Sequence, residues 1–166
     1  MRRQFIETLT KLAENDPKII LIVGDVGFNF IESFRERFPN QFLNIGVLEQ
    51  SMMGVAAGMA RQGWKPYVYS MRNFIAFRPY EQVRNDIAFG NANVKLFGVS
   101  GSAAYALLGF SHNVIKGIAS EEQDDEDCEM LRKLPNMNVY SSSTEETVSA
   151  LIEREYQRIG PAYFVI

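Results

Sequence analysis

Five aliphatic residues in succession, Ile19 to Val23, carry no polar residue between them. A strand with one wet face alternates apolar and polar positions, so an unbroken run predicts a strand covered on both faces. Upstream, Phe5, Ile6, Leu9 and Leu12 recur at helical spacing. They predict an amphipathic helix over 2–14, stopped by Asn15-Asp16-Pro17. The two periods then take turns along the chain. Strands are predicted at 42–45, 67–70, 94–99, 138–140 and 163–166, and helices at 31–38, 49–62, 79–89, 128–133 and 144–158. The first of these strands reads as short and buried, and the helix over 49–62 as buried and ended by Gly63. Residues 100–109 read as a loop rich in small residues. Thr144, with Glu146 and Thr147, offers cap chemistry to the helix that follows. Strands alternating with helices imply an α/β fold, a doubly wound, mainly parallel sheet with helices on both faces. With no internal repeat and no linker, residues 1–166 are expected to form a single domain.

In such sheets ligands bind outside the carboxyl ends of the strands. Four loops fall there: 24–28, 46–49, 70–80 and 100–113. The second leads into LEQSMMGVAAGMA, where Glu49 stands at the start of a helix built almost wholly from Met, Val, Ala and Gly. One reading is a helix cap that meets the positive end of the helix. The other is a working carboxylate, since an unpaired charge is expensive to bury beside so apolar a helix. Gly54, Ala56, Ala57 and Gly58 leave little side chain on one flank, so another backbone can approach closely there. In the third loop Phe74, Phe77 and Tyr80 sit three apart. They suit a core stripe, or flat faces on which a heterocycle can stack. Pro79 argues that regular helix starts there rather than passing through. The fourth loop holds the single histidine, His112, either a bland surface or core residue or a proton-transfer group.

Composition narrows the field. A formal charge of −3 with scattered Lys and Arg gives no footprint for nucleic acid. Cys128 is the only cysteine, which excludes an internal disulfide framework and an all-cysteine metal site. The first residues mix Arg2 and Arg3 with Glu7, Lys11 and Glu14, so no signal peptide is expected. No apolar run reaches membrane-spanning length, and a cytoplasmic location away from membranes is the expectation. The acidic stretch SEEQDDEDCE, residues 120–129, is expected to be a solvated surface insertion.

Taken together, Ile45-Gly46-Val47-Leu48-Glu49-Gln50 and Gly54-Val55-Ala56-Ala57-Gly58 resemble the pyrimidine-binding domain of transketolase-like thiamine diphosphate enzymes. A Glu-Gln pair followed by a Gly-x-Ala-Ala-Gly helix marks that family, and the resemblance extends from about Ile19 to Ile166. It implies that Glu49 reaches N1′ of the aminopyrimidine and favours its imino tautomer. By the same resemblance Phe74 and Phe77 hold the pyrimidine ring, Tyr80 supports them, and Arg78 contacts the ring or a substrate phosphate. Leu108-Gly109-Phe110-Ser111-His112 matches the family's Gly-x-Thr-His element, whose His faces the substrate, so His112 joins Glu49 as a catalytic candidate. Ser111 replaces the Thr, Leu108 replaces a frequent Asp, and the segment after His112 is longer than usual by about two helical turns.

Gly24-Asp25-Val26-Gly27 is not the family's Gly-Asp-Gly magnesium motif, because Val replaces the second Gly and no Asn follows at the needed distance. The resemblance therefore implies the pyrimidine-binding subunit, or an excised domain, of a split enzyme. This chain would carry the pyrimidine site, while a diphosphate-binding partner subunit holds the diphosphate and Mg. A homodimer or heterotetramer is expected, with Gly54, Ala57 and Gly58 at a close helix contact and Met52, Met53 and Met59 as adaptable surface. The implied reaction moves a two-carbon unit from a ketose or 2-oxo acid to an aldehyde. Two alternatives stay open: a β-type subunit of a thiamine-dependent 2-oxo acid dehydrogenase or decarboxylase, and a non-catalytic α/β interaction module.

Overall fold

The computed structural model describes residues 1–101, 103–116, 124–141, 144 and 146–166, the side chains of 103–106 excepted. Six strands form one sheet in the order β2-β1-β3-β4-β6-β5, and every pairing is parallel. They are β1 (Ile19–Val23), β2 (Phe42–Asn44), β3 (Lys65–Met71), β4 (Lys95–Val99), β5 (Asn138–Tyr140) and β6 (Ala162–Val165). Helices α1 (Arg2–Ala13), α2 (Glu32–Arg37) and α7 (Val148–Gln157) cover one face. There Ile19, Leu21 and Val23 of β1 meet Phe5, Leu9 and Phe34. Helices α3 (Glu49–Arg61), α4 (Arg72–Ala76), α5 (Tyr80–Gln82) and α6 (Glu126–Arg132) lie on the other. There Ile20 and Ile22 share a core with Met52, Met53, Ile75 and Leu131. The unbroken aliphatic run of β1 follows directly: each of its residues faces a covered side.

Several expectations need correction. Strand β2 lies at the sheet edge and is only half-buried, so it is not the buried strand its apolar sequence suggested. Helix α3 buries one face only, through Glu49, Met52, Met53, Ala56 and Ala57. Met52, Met53 and Ala57 are therefore core residues and cannot form an adaptable outer surface. Gly54, Val55 and Gly58 face outward, and a Cβ added at either glycine would meet nothing within 4 Å. A helix turns again before Pro79: α4 starts directly after β3, and after α5 the backbone continues as a π-helix over Val83–Phe89. Residues 103–111, read as loop, form a 3₁₀ helix with a break at Gly109, whose φ is 56°. Helix α7 begins at Val148, four residues later than expected, because Thr147 is the cap: its Oγ1 accepts from the Ala150 N–H at 3.3 Å.

The acidic stretch differs most from its expectation. Its first part, residues 120–123, lies outside the described residues. The rest is not a solvated insertion. Helix α6 starts at Glu126, and Asp127 is fully buried. Its carboxylate receives Nε of Arg72 at 2.8 Å, together with Nη2 of Arg72 and the Tyr163 hydroxyl. Arg72 Nη1 pairs with Asp125 at 2.7 Å. Gly98 of β4 makes room for this, since a Cβ there would collide with Tyr163. A count of charges reads the segment as wet, but a buried guanidinium from 55 residues away takes up its charge.

Candidate functional site

The carboxyl ends of β1, β3 and β4 and the start of α3 form one rim, as the parallel order requires. Gly46, at φ 77°, turns the chain from β2 toward α3. Glu49 is the first residue of α3 and is 6% exposed. It does meet the positive helix end, but it is also paired: Arg78 Nη1 donates to Glu49 Oε1 at 3.1 Å. The expected lone carboxylate thus has a counter-charge 29 residues further along the chain.

Phe74 sits in α4, buried, with the Arg78 guanidinium 3.5 Å above its ring centroid. His112 meets the same ring edge-on, with centroids 5.1 Å apart and planes at 72°. Glu49, Arg78, Phe74 and His112 therefore form one continuous line of contacts. Two of the cavities that border it lie at its Glu49 and Arg78 end. One, of about 360 Å³, is lined by Val47 to Ser51 and Arg78, and the other, of about 290 Å³, by Asn73, Phe77, Arg78, Phe110, Ser111 and Glu126. Arg78 is common to both. Phe77 faces the second cavity, whereas Tyr80 lines neither and packs half-buried against the core. That position suits the supporting role expected of Tyr80.

The His112 loop is held by a residue that sequence reasoning passed over. Asn73 Nδ2 donates to the Phe110 carbonyl at 2.8 Å and to the Asn113 carbonyl at 3.3 Å. Asn73 was legible only as a polar residue following a strand, next to the aromatic that mattered. Ser111 fixes the imidazole further. Its hydroxyl donates to the Leu108 carbonyl at 2.7 Å, and its Oγ lies 2.8 Å from His112 Nδ1. A hydroxyl has one proton to give, so with that proton on the Leu108 carbonyl Oγ accepts from His112 Nδ1–H. The Ser that replaces the family's Thr retains this capacity.

Comparison with known proteins decides the assignment. The family described as "Transketolase, pyrimidine binding domain" matches residues 1–166. The chain belongs to this family. It is 34% identical to one subunit of the apulose-4-phosphate transketolase of Phocaeicola vulgatus, over 97% of this chain and 51% of that protein. It is 31% identical to the 1-deoxy-D-xylulose-5-phosphate synthase of Halalkalibacterium halodurans, over 94% of this chain and 23% of that enzyme. A solved structure described as a split gene transketolase, inactive beta4 tetramer, superposes with a TM-score of 0.81 at 30% identity, over 99% of this chain and 50% of that one. The chain spans about half the length of the Phocaeicola relative and of that solved structure, and about a quarter of the synthase.

Family membership implies thiamine diphosphate as cofactor, and the residues present fit its aminopyrimidine half. The Phe74 ring already bears a planar, delocalised cation whose N–H points at the Glu49 carboxylate. A surface that accepts a guanidinium in this way has the shape and polarity to accept an aminopyrimidine edge. Among the described residues no three His, Cys, Asp or Glu side chains come together as a metal site. Also among them, no helix is long and apolar enough to cross a membrane.

Proposed function

We propose that this chain is the pyrimidine-binding part of a split, thiamine diphosphate-dependent transketolase. The whole enzyme would transfer a two-carbon unit from a ketose or 2-oxo acid to an aldehyde acceptor. One observation supports this reading above the others: Glu49, buried at a helix start, faces an aromatic surface across a single planar cation. The cofactor, when bound, would supply the nucleophilic carbon for the transfer. The protein's part is to hold and protonate. Glu49 would share a proton with N1′ of the pyrimidine, and Phe74 and Phe77 would fix the ring plane with Tyr80 behind them. His112 would serve the substrate as proton donor or acceptor. A partner subunit would hold the diphosphate and Mg.

The naming of the Phocaeicola relative as a subunit supports such a division of labour. The solved relative is described as an inactive tetramer of β chains, which supports self-association without activity. Val47, Leu48 and Val55 stand exposed beside Gly54 and Gly58, which supports an interface along α3 in a homodimer or heterotetramer. The test is co-purification with the partner followed by calorimetry with thiamine diphosphate and Mg. The complex is expected to bind. The chain alone is expected to fall short of micromolar affinity, and micromolar binding by the chain alone would overturn the split-site reading.

A further inference from the structure

We infer that Arg78 is a displaceable occupant of the pyrimidine slot, a built-in stand-in that closes the site until the cofactor takes its place. This rests on the role proposed above for Glu49. The geometry is direct. The guanidinium lies 3.5 Å over Phe74 and 3.1 Å from Glu49, so it fills the space between the ring face and the carboxylate. A flat ring that touches both must first remove it. Arg78 also lines both the 360 Å³ and the 290 Å³ cavity, so moving its side chain changes the walls of both.

The two partners are unequal in a way that suits exchange. Glu49 is 6% exposed and fixed at the start of α3, whereas Arg78 is 42% exposed and belongs to the turn between α4 and α5. The backbone of that turn is tied separately, by the Gln50 amide donating to the Arg78 carbonyl at 3.4 Å. The side chain can therefore swing out without the turn moving. A buried carboxylate stripped of its counter-charge would be costly, and Arg78 spares the empty chain that cost. The incoming ring spares it a second time once a proton lies between its ring nitrogen and the same oxygen, because Glu49 then faces the ring as a hydrogen-bond partner rather than as a bare charge. Guanidinium and aminopyrimidine share the relevant shape: both are planar, delocalised π systems that stack on an aromatic face. Arg78 would thus set the threshold for loading, and the exchange exposes a free guanidinium on the rim only after the ring is seated.

The test uses the full chain and the free aminopyrimidine half of thiamine, titrated at millimolar concentrations and followed by NMR. Arg78→Met keeps the length of the side chain and removes its charge and plane. It is expected to bind the aminopyrimidine about tenfold more tightly than wild type, the loss of one half-exposed ion pair and one cation–π contact. Glu49→Gln in the same background is expected to abolish that binding. Equal affinity in wild type and Arg78→Met would overturn the stand-in while leaving Glu49 as the pyrimidine partner. Binding that survives Glu49→Gln, or no binding to any variant, would overturn the Glu49 reading and the inference with it. A second measurement needs no variant. In wild type the Arg78 Nη resonances are expected to shift as the aminopyrimidine saturates and the Nη1–Glu49 bond is lost, and resonances unchanged at saturation would overturn the proposal.

Discussion

Two arginine–carboxylate pairs lie six residues apart in the chain and are built for opposite purposes. Arg72 is 2% exposed, and it meets Asp127, which is fully buried, through two guanidinium nitrogens and Asp125 through a third. The Tyr163 hydroxyl completes the Asp127 carboxylate. Arg78 makes one contact to Glu49 and is 42% exposed. The first pair is buried, is held by several contacts and joins α4 to α6 and β6. The second has spare valence and a route to water. Burial and the number of partners, rather than the residue types, separate a brace from an exchangeable contact. Both start from the same short segment: α4 is held firmly at Arg72, and the turn after it presents Arg78 to the site.

The sharpest test of the exchangeable pair is Glu49→Gln. Stability is expected to change by no more than about 1 kcal/mol, because the pair is single and half-exposed. Deuterium exchange at thiazolium C2 in the reconstituted complex is expected to fall by orders of magnitude, each tenfold being about 1.4 kcal/mol of barrier. Equal exchange rates with cofactor bound in both would leave Glu49 as a helix cap. Asp127→Ala should show the reverse balance. It leaves a guanidinium buried without its partner and is expected to cost about 3–5 kcal/mol in urea unfolding. A cost below about 1 kcal/mol would mean that the two pairs do not differ in kind. Replacing both partners, as Arg72→Met with Asp127→Leu, is expected to cost clearly less than Asp127→Ala alone, since no charge is left stranded.

Asn73 extends the comparison to the candidate site, because it follows the brace and holds the His112 loop. Asn73→Ala is expected to cost about 1 kcal/mol in unfolding and to broaden the His112 ring resonances, and sharp unchanged resonances would release it from that role. The smallest effect is expected at the opposite end of the strands, where β4 begins. Lys95 is buried there, its Nζ donating to the Gly160 and Arg158 carbonyls at 2.6 and 3.1 Å and lying 3.5 Å from Glu155. Burial lowers its pKa from 10.5 to about 8, against the pull of Glu155. Between these values the unfolded chain holds a proton that the folded chain has released, so this group makes stability rise with pH across that window. Lys95→Met should remove that slope, read as the difference between the two proteins in unfolding midpoint from about pH 8 to about pH 10. An identical pH dependence in both would show that the ammonium is not held as described.

Much of the fold was legible because a strand covered on both faces and a helix with one dry stripe leave distinct periods in the sequence. Ile19 to Val23 and the Phe5–Ile6–Leu9 stripe announced a doubly wound sheet without any partner being named. The family motif around Glu49 likewise needs only neighbours in sequence, since a strand end, a glycine turn and a helix start follow one another there. Periodicity says which face is dry, but not which distant side chain will meet it. Asp127 looked wet because its charged neighbours are local, while Arg72, Tyr163 and the gap over Gly98 that admits them come from three other elements. The placement of β6 between β4 and β5 is equally non-local, and so are the contacts of Arg78 with Glu49 and of Asn73 with the His112 loop. The chain by itself determined most of the elements and named the candidate residues along the rim. Only packing decided which charges were locked away and which were left able to move, because that depends on water access, and water access is a property of the assembled surface.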